Sequence, residues 1–399
     1  MSLPTLPRQD AAAPPDCMTL LPDMEPGDPA VMRAVLEGAA AYEPLAYSAD
    51  DAQKALRAAA RGDTLSPADL GALLAPAAAP LLEDAARLAQ QVTRARFGNA
   101  VGIFTPLYLS NYCANGCRYC GFSRNNPIKR ARLSLEEAEA ELRAIAATGL
   151  EEILLLTGES PDAAGLDYIA AACRLAREHF RVVGLEVYPM NSADYAVLRE
   201  SGADFVTVFQ ETYDPALYAT VHPSGRKRVF PYRFYAQERA LRAGMRGAGF
   251  GSLLGLGPFR RDVLAVALHA RLTQRQYPHA ELSFSVPRLR PIINNDDLKP
   301  EGVSEAELCQ VICALRLFMP FAGITVSTRE SPRFRDHAVL WGATKVSAGV
   351  DVGIGGHGGA GERAGDGQFE ISDRRSLAEM RAMLLARGLQ PVLSDHSYV

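Results

Sequence analysis

A chain of 399 residues can bury a large core, either as one barrel with appendages or as two domains. Its formal net charge of -4 presents no global basic field, so nucleic acid is not an expected partner. The seven cysteines are an odd count, and no signal peptide or long apolar span is visible; the expected setting is a reducing cytoplasm, with free thiols and no membrane.

Residues 1–30 are rich in Pro, Ala and Asp and are expected to be loosely ordered. Residues 31–97 read as a helical lead-in. Within it, Ser66 and Pro67 suit an N-cap and the first helical position, and 68–96 carries apolar residues at helical spacing. From 98 to 348 the pattern changes. Short apolar or β-branched runs recur at 103–109, 153–157, 182–187, 205–209, 249–256, 282–286, 324–328 and 345–347, with helical stretches between them. Ser134 with Glu137, and Ser304 with Glu307, offer capping boxes that start two of those helices. Eight strands alternating with helices predict an α/β fold, a parallel (β/α)8 TIM-type barrel. An open doubly wound sheet is the competing architecture.

Residues 349–399 read as a C-terminal loop and cap, with a glycine-rich loop at 353–361, a helix near 376–387 and a strand-like 390–393. The stretch from Gly353 to Gly358 is a formal Gly-x-Gly-x-x-Gly. No helical pattern follows it directly, as a dinucleotide fingerprint requires, so it reads as a flexible loop or lid. The basic stretch 124–132 reads first as a solvated loop and second as the edge of a phosphate or cofactor site. Cys17, Cys173, Cys309 and Cys313 default to small buried residues.

The densest chemistry lies just past the first strand. Cys113, Cys117 and Cys120 form a Cys-x3-Cys-x2-Cys pattern, a soft donor set for iron. Three local thiolates leave one corner of a four-iron cube open, and an open metal position binds substrate or cofactor. A structural zinc with a fourth ligand from elsewhere is the competing reading. In such barrels, chemistry sits at the C-terminal ends of the strands. Polar residues recur there: Tyr108, Glu159, Glu186, Gln210 and Glu211, Ser285, Arg288 and Arg290, and Arg329. Glu159 suits an amine and Arg233 a carboxylate, since a guanidinium binds a carboxylate through two parallel bonds. Arg288, Arg290 and Arg329 remain for the carboxylate of an amino-acid substrate.

The cysteine pattern, with Tyr119 just before the third cysteine, resembles the radical S-adenosylmethionine (SAM) enzymes. The stretches 107–123, 156–159, 209–214, 286–291 and 326–336, in that order, resemble the 2-iminoacetate synthase family, the radical SAM tyrosine lyases of thiamine biosynthesis. The resemblance runs from about residue 65 to about residue 392. It implies a [4Fe-4S] cluster on Cys113, Cys117 and Cys120, with SAM at its fourth iron. Glu159 would contact the SAM amine and Arg233 its carboxylate, with Tyr119 near the adenine. Glu186, Gln210 and Glu211 are read as further cofactor-binding positions. Tyr108, Ser285, Arg288 and Arg329 would surround the substrate, Arg329 holding its carboxylate. The resemblance further implies cleavage of L-tyrosine to 2-iminoacetate and p-cresol, with reduced flavodoxin or ferredoxin as electron donor and thiazole synthase as partner. A sister lyase acting on tryptophan or another aromatic amino acid is the competing activity. The related lyase of hydrogenase maturation carries a C-terminal Cys-x2-Cys, whereas no cysteine follows Cys313 here. After Ser347 the chain also departs from the Gly-Gly-Tyr towards which the family tends.

Overall fold

The computed structural model describes residues 16–295, 302–358 and 364–394. Its sheet contains β1 (Ala100–Ser110), β2 (Glu152–Thr157), β3 (Val182–Glu186), β4 (Phe205–Thr207), β5 (Gly247–Gly251), β6 (Glu281–Ser285), β7 (Gly323–Val326), β8 (Lys345–Ser347) and β9 (Gln390–Val392). All pairings are parallel, and β1 pairs with both β2 and β8, which closes the first eight strands into a barrel. Closure rules out the open sheet. β9 adds to the start of β1, where Val101 faces Pro391. The strands are short and mostly buried because helices cover the outside and the sheet closes on itself.

Helices begin where the sequence supplies caps. Ser66, Ser134, Ser304 and Ser376 each close a capping box at a helix start. The lead-in is more broken than its apolar spacing suggests. Helix Pro67–Leu74 stops, a 3-10 turn fills Pro76–Leu81, and the helix resumes as Leu82–Phe97. Pro76 and Pro80 lack the N–H an α-helix needs and crowd the preceding turn. The fifth strand also differs: it spans Gly247–Gly251, not 249–256. The chain beyond it peels away, with Leu254 donating its N–H to the Pro287 carbonyl.

Loose order was expected through residue 30. Residues 1–15 lie outside the described residues, but the stretch after them packs on the barrel. The Cys17 carbonyl accepts from the Phe230 N–H, and the Glu25 carboxylate accepts from the Ser192 N–H at 2.6 Å and hydroxyl at 2.8 Å. The glycine-rich loop is likewise pinned where it is described. The N–H groups of Gly356, His357 and Gly358 all donate to the Glu141 carboxylate. Its residues 359–363 lie outside the described set.

An internal ion pair ties the C-terminal segment to the barrel. Arg335 and Asp373 are both fully buried and paired, and Arg335 also donates to the Ser347 carbonyl. Burial alone would raise the Asp373 carboxyl, but Arg375 and Arg335 outweigh it and hold the group below its usual range. A lowered native pKa gives stability that is present above the unfolded-state value and lost as pH falls through the native one. Asp373→Ala strands the buried guanidinium. It is expected to cost roughly 3–5 kcal/mol, read as a lowered midpoint in urea or thermal unfolding.

The barrel axis is open, with only the small residues Gly247 and Ala248 of β5 on its wall. A Cβ on Gly249 would lie 2.5 Å from Thr207 Oγ1 and 3.4 Å from Ser283 Oγ. The resulting cavity of about 1380 Å³ runs from Tyr108 and Arg329 at the upper mouth to Phe97 and Lys345 at the lower end. There Lys345 Nζ pairs with Glu152 at 2.8 Å. Among the described residues, no helix is long and apolar enough to cross a membrane.

Candidate active site

The register of β1 against β2 breaks between Tyr108 and Ser110, so the strand leaves the ladder on a bulge as it enters the cysteine loop. The loop is then held by backbone bonds to distant segments. Ala114, Gly116, Arg118 and Gly121 donate to the carbonyls of Glu159, Ser224, Val221 and Gln368. Glycine permits such close approaches: a Cβ on Gly121 would lie 2.2 Å from the Gln368 carbonyl oxygen, and one on Gly158 2.2 Å from that of Tyr112. Arg130 donates to the carbonyls of Asn111, Phe122, Ser123 and Asn126. Arg124, Lys129 and Arg132 are exposed, as a solvated loop requires, but Arg130 instead clamps the cysteine loop from beneath.

Cys117 is buried, and Cys113 and Cys120 are partly buried. Asn115 Nδ2 approaches Cys113 Sγ at 3.7 Å, and Gln368 Nε2 approaches Cys120 Sγ at 3.6 Å. Burial, with the Glu159 charge second, pushes the Cys113 thiol up to about 11. Burial likewise pushes Cys117 well up, against the opposing pull of Lys227. Among the described residues, the one trio of candidate ligand atoms within 4.8 Å of each other is Glu139, Glu178 and His179, not the cysteines. A single tetrahedral zinc, about 2.3 Å from each sulfur, would draw three thiolates closer than that. At least one pair of these sulfurs is wider apart than that, which suits a cluster, in which each thiolate takes a different iron. The donor set therefore fits a [4Fe-4S] cluster better than a structural zinc.

Beside the loop lie two carboxylates and two cations. Arg233 NH1 meets Glu159 Oε1 at 2.6 Å, and Asn115 donates to Glu159 Oε2 at 2.8 Å. Lys227 Nζ sits 2.8 Å from Glu211 Oε1 and 3.9 Å from Glu159 Oε1. Burial and Arg233 disfavour the Lys227 ammonium, yet Glu211, Cys117 and Glu159 outweigh them and hold it protonated. Burial would raise the Glu211 carboxyl, but Lys227 and Arg233 bring it below its usual range. Glu211 has φ 71°, a left-handed backbone rare for a side chain of this size. The strain aims its carboxylate at the cavity, whose wall it joins. Next to this quartet, His222 Nδ1 donates to the Tyr218 carbonyl, which leaves Nε2 to accept the Tyr119 hydroxyl at 2.7 Å. Burial, with Lys227 and Arg233 nearby, lowers the His222 pKa well below its usual value, so the ring is neutral and this tautomer follows.

The cavity wall gathers Tyr108, Tyr119, Cys120, Glu186, Glu211, Ser285 and Arg329 from the sequence-derived set. It does not include Arg288, whose guanidinium pairs with the buried Glu330 carboxylate and donates to the Val303 carbonyl. Arg290 is turned to the Ser372 hydroxyl. Gln210 is buried behind the wall and donates weakly to the Phe230 carbonyl at 3.5 Å. Arg288 and Gln210 are thus placed as supports of the barrel mouth, not as walls of the cavity. Lys227, Asn115, Gln368 and Phe369 join the site without having been anticipated. Lys227 stands in the basic triplet 226–228, which by itself reads as ordinary surface. Gln368 and Phe369 arrive from the C-terminal cap: Gln368 Oε1 accepts the Tyr108 hydroxyl at 3.0 Å, and the Arg329 guanidinium lies 3.5 Å from the Phe369 ring centroid.

Comparison with known proteins agrees with this geometry. Residues 107–269 match the Radical SAM superfamily, and residues 285–390 match the Biotin and Thiamin Synthesis associated domain. The chain is 42% identical over 350 residues to 2-iminoacetate synthase of Salmonella typhimurium, covering 87% of this chain and 91% of that one. It is 41% identical over the same length to the Escherichia coli enzyme of that name, with the same coverages of 87% and 91%. Among solved structures, the FeFe-hydrogenase maturase HydG from Carboxydothermus hydrogenoformans superposes with a TM-score of 0.84 at 31% identity, over 92% of this chain and 85% of that one.

Proposed function

The chain belongs to the 2-iminoacetate synthase family of radical SAM enzymes, and from that premise we infer that its barrel mouth cleaves the Cα–Cβ bond of L-tyrosine to give 2-iminoacetate and p-cresol. The observation that carries this reading is the meeting of two features at one cavity: Cys120 of the three-cysteine loop, and Arg329, whose side chain has no ion-pair partner among the described residues. Cys113, Cys117 and Cys120 would hold a [4Fe-4S] cluster, which together with SAM would supply the reductive radical chemistry for removing a hydrogen from the substrate.

The residues of this chain do the rest by binding and exclusion. The Glu159, Arg233, Glu211 and Lys227 quartet is charge-balanced by itself. An amino-acid zwitterion can exchange into it, its ammonium towards Glu159 and its carboxylate towards Arg233 and Lys227. Tyr119 is held by His222 on the wall beside Lys227, where an adenine face can lie against it. Arg329 offers guanidinium donors to the tyrosine carboxylate, with Tyr108 and Ser285 around it. Gln368 and Phe369 close over that pocket from the cap. Their cover keeps water from reactive intermediates.

Reduced flavodoxin or ferredoxin is proposed as the electron donor and thiazole synthase as the consumer of the product, on the strength of the family alone. A reducing cytoplasm is the proposed location, because the three thiols must stay unoxidised to bind iron. The test is anaerobic turnover of reconstituted protein with SAM, reductant and L-tyrosine, followed by mass spectrometry. Release of p-cresol together with 5'-deoxyadenosine is expected. Turnover of tryptophan, with no p-cresol from tyrosine, would move the reading to a sister lyase.

A further inference from the structure

We propose that Glu186 and Arg329 form a two-point site for the head of the amino-acid substrate, Arg329 taking its carboxylate and Glu186 its amino group. This rests on the lyase reading and extends it to a residue otherwise read from the sequence as a cofactor-binding position.

Three observations carry it. First, both groups face the cavity, and among the described residues neither side chain makes a hydrogen bond or an ion pair. The Arg329 guanidinium has only the Phe369 ring against it, which covers its face and leaves its N–H edge open. Charges left unpaired on a partly desolvated cavity wall are costly to keep. A fold that keeps an opposite pair at one cavity without letting them join is built for a ligand carrying both charges. Second, Glu186 belongs to the same layer as Tyr108. The register pairs Tyr108 with Leu156, and Leu156 with Glu186, across three adjacent strands. Tyr108 does not compete for Glu186, because its hydroxyl is already given to Gln368. Third, the SAM zwitterion already has partners of its own in Glu159, Arg233, Glu211 and Lys227. The second carboxylate and guanidinium are surplus to that need, and a second amino acid is the ligand that uses them.

The chemistry of Glu186 fits an amine that must lose a proton. Burial, reinforced by Glu211, pushes its carboxyl up to about 7, against the opposing pull of Arg329, Lys227 and Arg233. Those groups and the Tyr108 phenol are the charged and titratable side chains that face it. Near neutrality such a carboxylate can hold the substrate ammonium and then accept its proton. One N–H bond breaks, one O–H bond forms on Glu186, and the electron pair stays on nitrogen. No oxidant or reductant is involved. The amine left behind has the lone pair that stabilises a radical formed at nitrogen, whereas an ammonium has none.

The test compares equilibrium binding of L-tyrosine and of its desamino analogue, 3-(4-hydroxyphenyl)propanoate, to the SAM-loaded, cluster-loaded protein without reductant. Wild type is expected to prefer tyrosine. Glu186→Gln is expected to weaken tyrosine about tenfold or more and leave the analogue unchanged, while Arg329→Gln weakens both. In turnover, Glu186→Gln should also flatten the fall of kcat/KM on the acid side of neutrality. Equal preference for tyrosine in wild type and Glu186→Gln would overturn the assignment. Absence of p-cresol from wild type would instead overturn the lyase reading, and the same pair of ligands, built on whichever aromatic amino acid binds, would still judge Glu186.

Discussion

Cys117→Ala is expected to leave anaerobically reconstituted protein without the brown absorption of an iron–sulfur cluster and to lower p-cresol release by a hundredfold or more. Cys117 is the most enclosed of the three thiols and packs with Tyr119, Val221, Leu253 and Leu289, so no water or neighbouring side chain stands ready to replace its sulfur. Loss of a ligand of this kind exceeds the roughly 10–100-fold typical for the groups that merely support ligands. The fold should survive, because a core of this size does not depend on a metal staple. An unchanged far-ultraviolet spectrum beside a bleached visible spectrum would show that. Wild-type protein that stayed colourless after reconstitution, with zinc in stoichiometric amount, would refute the cluster.

Arg329→Gln is expected to raise KM for tyrosine by about a hundredfold while SAM binding is kept. Truncating one partner of a desolvated charge pair costs about 2–5 kcal/mol, and about 2.7 kcal/mol is already a hundredfold. The effect falls on tyrosine because Arg329 is not among the ion pairs of the quartet that SAM would use, and burial already makes its charge costly to leave unpaired. Arg329→Lys should recover part of the loss, since an ammonium keeps the charge but not the two parallel bonds. Rates would be followed against tyrosine at fixed SAM. An Arg329→Gln variant with normal KM would mean that the tyrosine carboxylate is held elsewhere.

Much of the local structure was legible in the chain. The serine caps mark helix starts because a side-chain oxygen and an N–H three residues on are always within reach. Most of the apolar runs mark strands because burial on both faces removes the polar alternation; β6 and β7 keep an alternating pattern, one set of positions buried and the other partly exposed. The misread elements are those where a local signal was overridden. Prolines cut the lead-in helix, and Leu254 leaves its strand to pair with Pro287.

The charged residues of the site divide differently. Arg288 and Arg329 looked equally suited to a substrate carboxylate in the sequence. One is consumed by Glu330, 42 residues away, and the other is left open. Lys227 carried no distinguishing mark, yet it bridges Glu211 and Glu159. Gln368 reaches Tyr108 across 260 residues.

By itself, then, the amino-acid order determined where helices and strands begin and which loop carries three thiols, because these depend on neighbours within about one turn or one loop. Tertiary structure alone decided which charges are neutralised and which remain free to hold a ligand. Pairing in a closed barrel depends on which side chains its curvature brings together, and a charge stays open only where no counter-ion comes within reach, as at Arg329, against which the far end of the chain packs the Phe369 ring.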